Sequence, residues 1–255
     1  GLQARDGLAA INGSNLLTAI SALNLFDMER FLKQAEIAAA MSIEALLGNM
    51  KPYNTKLHEL RGFNGAVTSA KNIMKVIEGS DLTTGKMKTK VQDAYSMRCA
   101  AQVHGAARDA FAYAAQVFAI EANAATDNPM VFADTREIVS GGNFHGMPLA
   151  IAMDAAKIAV CHVAGISERR SYWVLGGFDR VNPVKPHLAG NPGLESGLMI
   201  AQYAAAACVN EIATMSNPAS VTNIPTSAAP GTSRARRSRG GERQPSDGAA
   251  ERPRA

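Results

Sequence analysis

Cysteine is scarce in this chain. Its 255 residues hold three, Cys99, Cys161 and Cys208, an odd number, widely spaced, with no Cys-x-x-Cys pair and no Cys/His grouping at metal-site spacing. That pattern argues against a disulfide framework and against a zinc module, and it fits free thiols in a reducing compartment, with the cytoplasm as the default. Long apolar runs are lacking as well. No uninterrupted stretch of about 18 apolar residues occurs, and the first dozen residues have neither the basic region nor the apolar segment of a secretory signal, so no membrane partner is expected. A starting Met is absent too, as if the chain were cut from a longer one. A charge imbalance is lacking in the body. The formal charge is +4, and the seven arginines of the last 25 residues, set against Glu242, Asp247 and Glu251, account for all of it. A body with balanced charge gives no reason to expect nucleic acid as a partner.

What the sequence does contain is helix. Hydrophobic residues make up 47% and charged residues 19%, enough for a sizeable core. Residues 15–47 repeat apolar side chains at helical spacing and stop at Gly48, with Pro52 just beyond, which predicts one long helix. Further helices are expected over 66–77, from about 96 to 124, from about 148 to 169 and from 194 to 215, the second and third of the five buried. Between Asn128-Pro129 and Gly141-Gly142, β-branched and aromatic residues flank Asp134-Thr135 and predict a short hairpin. The span 176–193, with Pro183, Pro186 and Pro192, is expected to be a surface connection. The fold class that follows is mainly α: an extended bundle of long helices with one short β-hairpin, its apolar helices calling for neighbours that other chains of an oligomer can supply.

Three polar segments interrupt this apolar pattern. In Asn12-Gly13-Ser14, either Asn12 or Ser14 can cap the helix that follows, and Gly13 permits a turn. In residues 90–99, KVQDAYSMRC, a spacing of three brings Gln92, Tyr95 and Arg98 to one side if the segment is helical. Arg98 suits a carboxylate, since its planar fork gives two parallel charge-assisted hydrogen bonds; a salt bridge to Asp93 or a neighbouring acid is the alternative. In residues 140–146, SGGNFHG, paired glycines allow close backbone approach, or form a plain turn. His145 has no acid or nucleophile at diagnostic spacing, and neither do His58, His104, His162 and His187.

Taken together, GLAAINGSN (7–15), KVQDAYSMRC (90–99), EANAATDNPMVFAD (121–134), SGGNFHG (140–146), ISERR (166–170), GLESGLMIAQ (193–202) and NPASVTNIPTSA (217–228) resemble, in this order, the histidine ammonia-lyase branch of the aromatic amino acid lyase family. The resemblance covers roughly residues 1–228, as the middle portion of such an enzyme. It implies a fumarase/aspartase-like helical architecture, a homotetramer, and elimination of ammonia from an α-amino acid. The electrophile is a methylidene-imidazolone made from an internal Ala-Ser-Gly, with no separate metal. By position in the motifs, Asn12 would lie beside the imidazolone and Phe144 would pack near it. Gln92 and Tyr95 would line the pocket, Tyr95 as an auxiliary acid or hydrogen-bond donor, and Arg98 would hold the substrate carboxylate. All five are expected to converge on one buried amino-acid cleft; the resemblance implies that such pockets combine residues from more than one subunit, so Gln92, Tyr95 and Arg98 could complete a partner's site.

Departures from the family set further expectations. No Ala-Ser-Gly occurs in the 255 residues; the family places it, and a mobile-loop Tyr, ahead of the matched region, so this chain is expected to be inactive alone. Residues 229–255 turn abruptly Arg-rich, without an aliphatic side chain larger than Ala, and are expected to be disordered, as a solvated tail or the product of a shifted reading frame; a basic arm for nucleic acid is the other option. The substrate implied is L-histidine, giving urocanate, with tyrosine or phenylalanine lyases and aminomutases as alternatives. An inactive helical interaction protein that pairs with a full-length lyase is a reading from a different class. The Gly-Ser-rich catalytic loop of the fumarase/aspartase enzymes themselves is not visible.

Overall fold

In the computed structural model, residues 1–3, 6–83, 90–181 and 183–222 are described, and Gly1–Ser220 forms one compact unit. The Arg-rich stretch expected to be disordered lies outside the described residues. In chain order the helices are α1 (Asp6–Ile11), α2 (Asn15–Ala45), α3 (Thr55–Arg61), α4 (Asn64–Ile77), α5 (Tyr95–Arg98), α6 (Ala100–Glu121), α7 (Met147–Leu175) and α8 (Met199–Met215), with 3-10 turns at Lys51–Tyr53, Pro186–Leu188 and Ser220–Thr222. Strands β1 (Met130–Phe132) and β2 (Glu137–Val139) pair antiparallel in the register Met130 to Val139 and Phe132 to Glu137. The mainly helical class, the bundle and the hairpin all stand as expected.

α2 is the longest helix of the unit. Its 31 residues contain no Gly or Pro, so nothing interrupts the backbone ladder, and at about 1.5 Å per residue it spans about 45 Å. Its end differs from expectation. Leu47 takes the left-handed conformation, at φ 52°, while Gly48 serves close packing: a Cβ there would lie 2.6 Å from Ile43 Cγ2. Ser14 occupies the cap position without making a cap hydrogen bond; its hydroxyl donates to Glu121 instead. Two short helices escaped prediction, α1 and α3, neither long enough to show a period. The helix expected over 96–124 is broken at Cys99 into α5 and α6, and α8 begins at Met199, five residues later than expected.

Packing forms two apolar clusters along the bundle. One gathers Ile43, Leu46, Tyr53, Ile73 and Met97 around the C-terminal end of α2; the other gathers Leu32, Phe111, Ala152 and Val163 farther along. α4 and α6 touch backbone to backbone, because a Cβ on Gly105 would sit 2.3 Å from Ala66 N. Beside that crossing, buried Glu36 of α2 accepts from Ser69 Oγ at 2.6 Å, Asn72 Nδ2 at 2.8 Å, Arg108 Nε at 2.7 Å and Arg108 Nη2 at 2.6 Å. One carboxylate thus ties three helices, with both oxygens doubly satisfied.

By length and composition two helical stretches, Asp6–Ala45 and Met147–Leu175, are apolar enough to cross a bilayer, a reading that the search for uninterrupted runs did not give. In α7, Asp154 and Lys157 have partners within the unit. Asp154 accepts from Ala219 N at 3.1 Å and Ser220 N at 2.8 Å, and it pairs with Lys157 at 2.8 Å. These partners, and the packing of Ala152, Ala156 and Val163 in the core, make α7 a bundle helix.

Candidate active site

The sequence-predicted residues fall into two groups. At the C-terminal end of α2, residues 90–94 run extended into the single turn of α5. Asp93 points inward: its Oδ2 accepts from Asn49 N at 2.5 Å, and Lys90, whose side chain is 8% exposed, bridges it and Asp179. With Asp93 anchored, Gln92 faces out and Ala94 starts the turn. Gln92 is not helical, so helical spacing is not what brings it to Arg98. The extended segment folds back, and Arg98 Nη1 donates to Gln92 Oε1 at 2.5 Å. The Arg98 guanidinium also lies over the Tyr95 ring, 4.5 Å from its centroid, a contact worth about 0.5–1 kcal/mol at an exposed site. Tyr95 is 70% exposed. Asp93, the alternative partner for Arg98, is committed elsewhere, and no carboxylate pairs with Arg98 among the described residues. Its remaining N–H groups are therefore available as a fork for an incoming carboxylate.

Asn12 and Phe144 lie at the other end of α2. Asn12 follows α1; its Nδ2 reaches Asp127 Oδ1 at 3.4 Å and Asn128 O at 3.5 Å, both at the long limit for a hydrogen bond. Gly13, at φ 87°, has no room for a side chain, since a Cβ would meet Thr126 O at 2.5 Å. Asn128 in turn organises the glycine segment by accepting from Gly141 N at 2.7 Å, and Asn143 Nδ2 donates to Ala125 O at 3.3 Å. Phe144 is 40% exposed. Three motif segments, 7–15, 121–134 and 140–146, thus meet around the starts of α2 and α7 and the end of α6.

The expected convergence on one buried cleft does not occur within a single chain. Arg98, Gln92 and Tyr95 come together, and Asn12 and Phe144 share the opposite end, with the length of α2 between the groups. Both groups are open to the surface. The cause is the antiparallel course of α2, α6 and α7, which carries consecutive motifs to alternate ends of the bundle.

The second end is open to solvent around Asn12 and the glycine pair. Beyond Asn12, whose amide is held only loosely, a Cβ on Gly141 or Gly142 would meet nothing within 4 Å, and the Phe144 ring presents an accessible face. A loosely tied amide donor, an open glycine pair and an aromatic face fit a planar, polar five-membered ring such as the methylidene-imidazolone. Sequence reasoning missed Asp127 and Asn128 as the partners of Asn12 and of the glycine loop. It also missed Tyr53 and Arg170, which lie beneath α5. The clue for Arg170 was a charged residue deep in an apolar helix.

Comparison with known proteins places this arrangement. Residues 1–231 match the profile of the family described as Aromatic amino acid lyase. Histidine ammonia-lyase of Caldanaerobacter subterraneus subsp. tengcongensis is 45% identical over 227 residues, covering 89% of this chain and 44% of that protein. Histidine ammonia-lyase of Geobacillus kaustophilus is 47% identical over 232 residues, with shares of 89% and 45%. Among solved structures, histidine ammonia-lyase from Trypanosoma cruzi superposes with a TM-score of 0.76 at 37% identity, over 89% of this chain and 42% of that one. Tyrosine aminomutase from Streptomyces globisporus gives 0.81 at 35% identity, over 89% and 46%. The chain therefore spans a little under half the length of the curated relatives it matches, and over that span it belongs to the aromatic amino acid lyase family.

Proposed function

We propose that this chain supplies the central part of a lyase that eliminates ammonia from L-histidine to give urocanate, acting as a homotetramer in a reducing compartment such as the cytoplasm. The observation that carries the reading is the surface-facing Arg98 fork, backed by Gln92 and stacked on Tyr95, in a chain whose curated relatives are named histidine ammonia-lyases at 43–47% identity. Aminomutases share the fold, at the lower identity of 35%.

Each residue has a task that follows from its geometry. Arg98 takes the substrate carboxylate in two parallel hydrogen bonds, which fixes the Cα–Cβ bond relative to the site. Tyr95, in contact with that guanidinium, is placed to donate a hydrogen bond to substrate or to the departing amine. Asn12 and Phe144 would hold and face the ring of an imidazolone formed from Ala-Ser-Gly, which would supply the electrophile. The two groups lie at opposite ends of α2, a helix about 45 Å long, so a complete pocket takes its Arg98 side from one copy and its Asn12 side from another. Exposed apolar side chains along the bundle give the copies a surface to share: Leu16 is 76% exposed, Leu23 70%, Phe26 62% and Ile200 64%.

Co-expression with the Ala-Ser-Gly-bearing portion of a histidine ammonia-lyase relative tests the proposal, with urocanate followed by its ultraviolet absorbance. The expected result is turnover of L-histidine by the combination and none by this chain alone. Turnover of tyrosine or phenylalanine in preference to histidine overturns the substrate. Failure to assemble or to release ammonia from any of the three overturns the reading, whereas ammonia release by the isolated chain overturns the account of the cofactor.

A further inference from the structure

Beneath α5 lies a cation with no evident structural justification. Arg170, on α7, is 2% exposed, and no carboxylate pairs with it among the described residues. Its Nη2 has no hydrogen-bond partner there. Burial depresses its pKa to about 10, opposed in part by Tyr53. Desolvating a guanidinium is costly, so an apolar side chain would fill the same space more favourably unless the charge accomplishes something.

What Arg170 does is hold one carbonyl: its Nη1 donates to Ser96 O at 3.2 Å. The next carbonyl, that of Met97, accepts from the hydroxyl of Tyr53, which is itself 1% exposed. These are the peptide groups immediately before Arg98. A one-turn helix leaves its C-terminal carbonyls without partners in the helix, and its amides are tied by only a few bonds: Arg98 N to Ala94 O at 2.9 Å and Cys99 N to Tyr95 O at 2.9 Å. Nothing within four residues of chain can fix its orientation. Two buried side chains, from α7 and from the Lys51–Tyr53 turn, grip it from below through successive carbonyls, and a cation at a helix C-terminus also complements the partial negative charge there.

We propose that Arg170, seconded by Tyr53, is a positioning residue that sets the pose of Arg98 and Tyr95 by clamping the carbonyls of Ser96 and Met97 from inside the bundle. The inference rests on the lyase reading for what Arg98 binds, but the clamp itself is a property of this chain. Two planes of the backbone are fixed, 96–97 and 97–98, and the Cα of Arg98 follows. A guanidinium displaced by about 1 Å loses bidentate geometry, with losses on the order of a hundredfold in rate.

Amide hydrogen exchange of the full 255-residue chain tests the clamp, with Arg170→Gln, Arg170→Lys and Tyr53→Phe. In Arg170→Gln and in Tyr53→Phe the amides of Arg98 and Cys99 are expected to exchange at least about tenfold faster while those of α4 change little. Arg170→Lys, which keeps a cation and a donor, is expected to restore most of the protection. Should Arg170→Gln fail to fold, the other two variants carry the comparison. Exchange that is unchanged at 95–99, or that rises evenly across all helices, overturns the proposal. In the co-expressed enzyme the same variants are expected to raise KM for L-histidine, with Arg170→Lys intermediate; an unmoved KM overturns the link to Arg98. Faster local exchange combined with no turnover by even the unsubstituted enzyme supports the clamp and refutes the lyase reading, so the two fail separately.

Discussion

Acidification from pH 7 to pH 4.5 probes the interior of the bundle at a single imidazole. His104, on α6, is 0% exposed, and neither ring nitrogen has a hydrogen-bond partner among the described residues. Burial is the main cause that pushes its pKa down to about 4; Arg170 and Arg108 add to the effect and Glu36 opposes it. The folded state therefore keeps the ring neutral where the unfolded chain, with a value of 6.5, takes up a proton. Stability from this group is complete above pH 6.5 and drains away as the pH falls toward 4, because the unfolded state binds more protons in that window. Down to pH 4.5 the loss is about 2 kcal/mol. Urea denaturation at half-unit intervals measures it, with His104→Leu as reference, since leucine fills similar space and cannot titrate. Carboxylates such as Glu36 and Asp154, both held below their ordinary values of 4.5 and 3.8 in the folded chain, are present in both proteins and cancel in the comparison. The stability of the leucine variant relative to the unsubstituted chain is expected to rise by about 2 kcal/mol on going from pH 7 to 4.5. A difference that stays constant over this interval refutes the argument.

Other perturbations test the joints of the bundle and the division of the site. Glu36→Gln leaves Arg108 without its counter-charge and is expected to cost about 3 kcal/mol in urea denaturation at pH 7. Hydrogen bonds from Arg108, Ser69 and Asn72 together outweigh burial and hold the Glu36 carboxyl below its ordinary 4.5, so its contribution is present above that pH and is lost as pH falls further. Gly105→Ala places a Cβ 2.3 Å from Ala66 N and 2.4 Å from Ala66 Cα; a loss of about 3 kcal/mol is expected. Gly165→Ala, with nothing within 4 Å of its Cβ, is expected instead to gain up to about 1 kcal/mol from helix propensity, and equal effects at the two glycines would contradict the packing described. In the co-expressed enzyme, Asn12→Ala and Arg98→Gln are each expected to abolish turnover. Mixed subunits carrying one or the other should recover about a quarter of it by random pairing of the two groups, whereas no recovery argues that both come from one copy.

The sequence made the helices legible where they are long. Residues 15–47, 66–77 and 148–169 show the 3.6-residue period and are bounded on one side by Gly or Pro, and α2, α4 and α7 lie there with ends shifted by at most six residues. The hairpin was legible from its β-branched residues. α1 and α3 were not, being too short for a period and formed through neighbours. The break at Cys99 was hidden because Ala, Gln and Val continue the helical pattern across it; what stops α5 is the anchoring of Asp93 to Asn49 and of Ser96 to Arg170, partners 44 and 74 residues away. Ser14 read as a cap because capping is a local property. Its hydroxyl is taken by Glu121, 107 residues distant, which no local rule anticipates.

The convergence of the five site residues was the expectation that a single copy does not meet, and the reason is arithmetic already present in the sequence. An unbroken helix of 31 residues has a length of about 45 Å, and Asn12 lies before it while Gln92, Tyr95 and Arg98 pack beside its end. No fold of one chain brings them together while α2 stays straight. The family profile matches residues 1–231, and the separation follows from the unbroken length of α2 within that span. Under the proposed division of the site between copies, the bundle would work as a strut whose stiffness sets the spacing between pockets, with the buried ties that join α2, α4 and α6 at Glu36 holding that spacing. The ties and the Arg170 clamp act on different scales. Loss of Glu36 should weaken the strut and disturb both ends together, whereas loss of Arg170 should disturb only the carboxylate end, leaving Asn12, Gly13 and the glycine loop at 140–146 as they are.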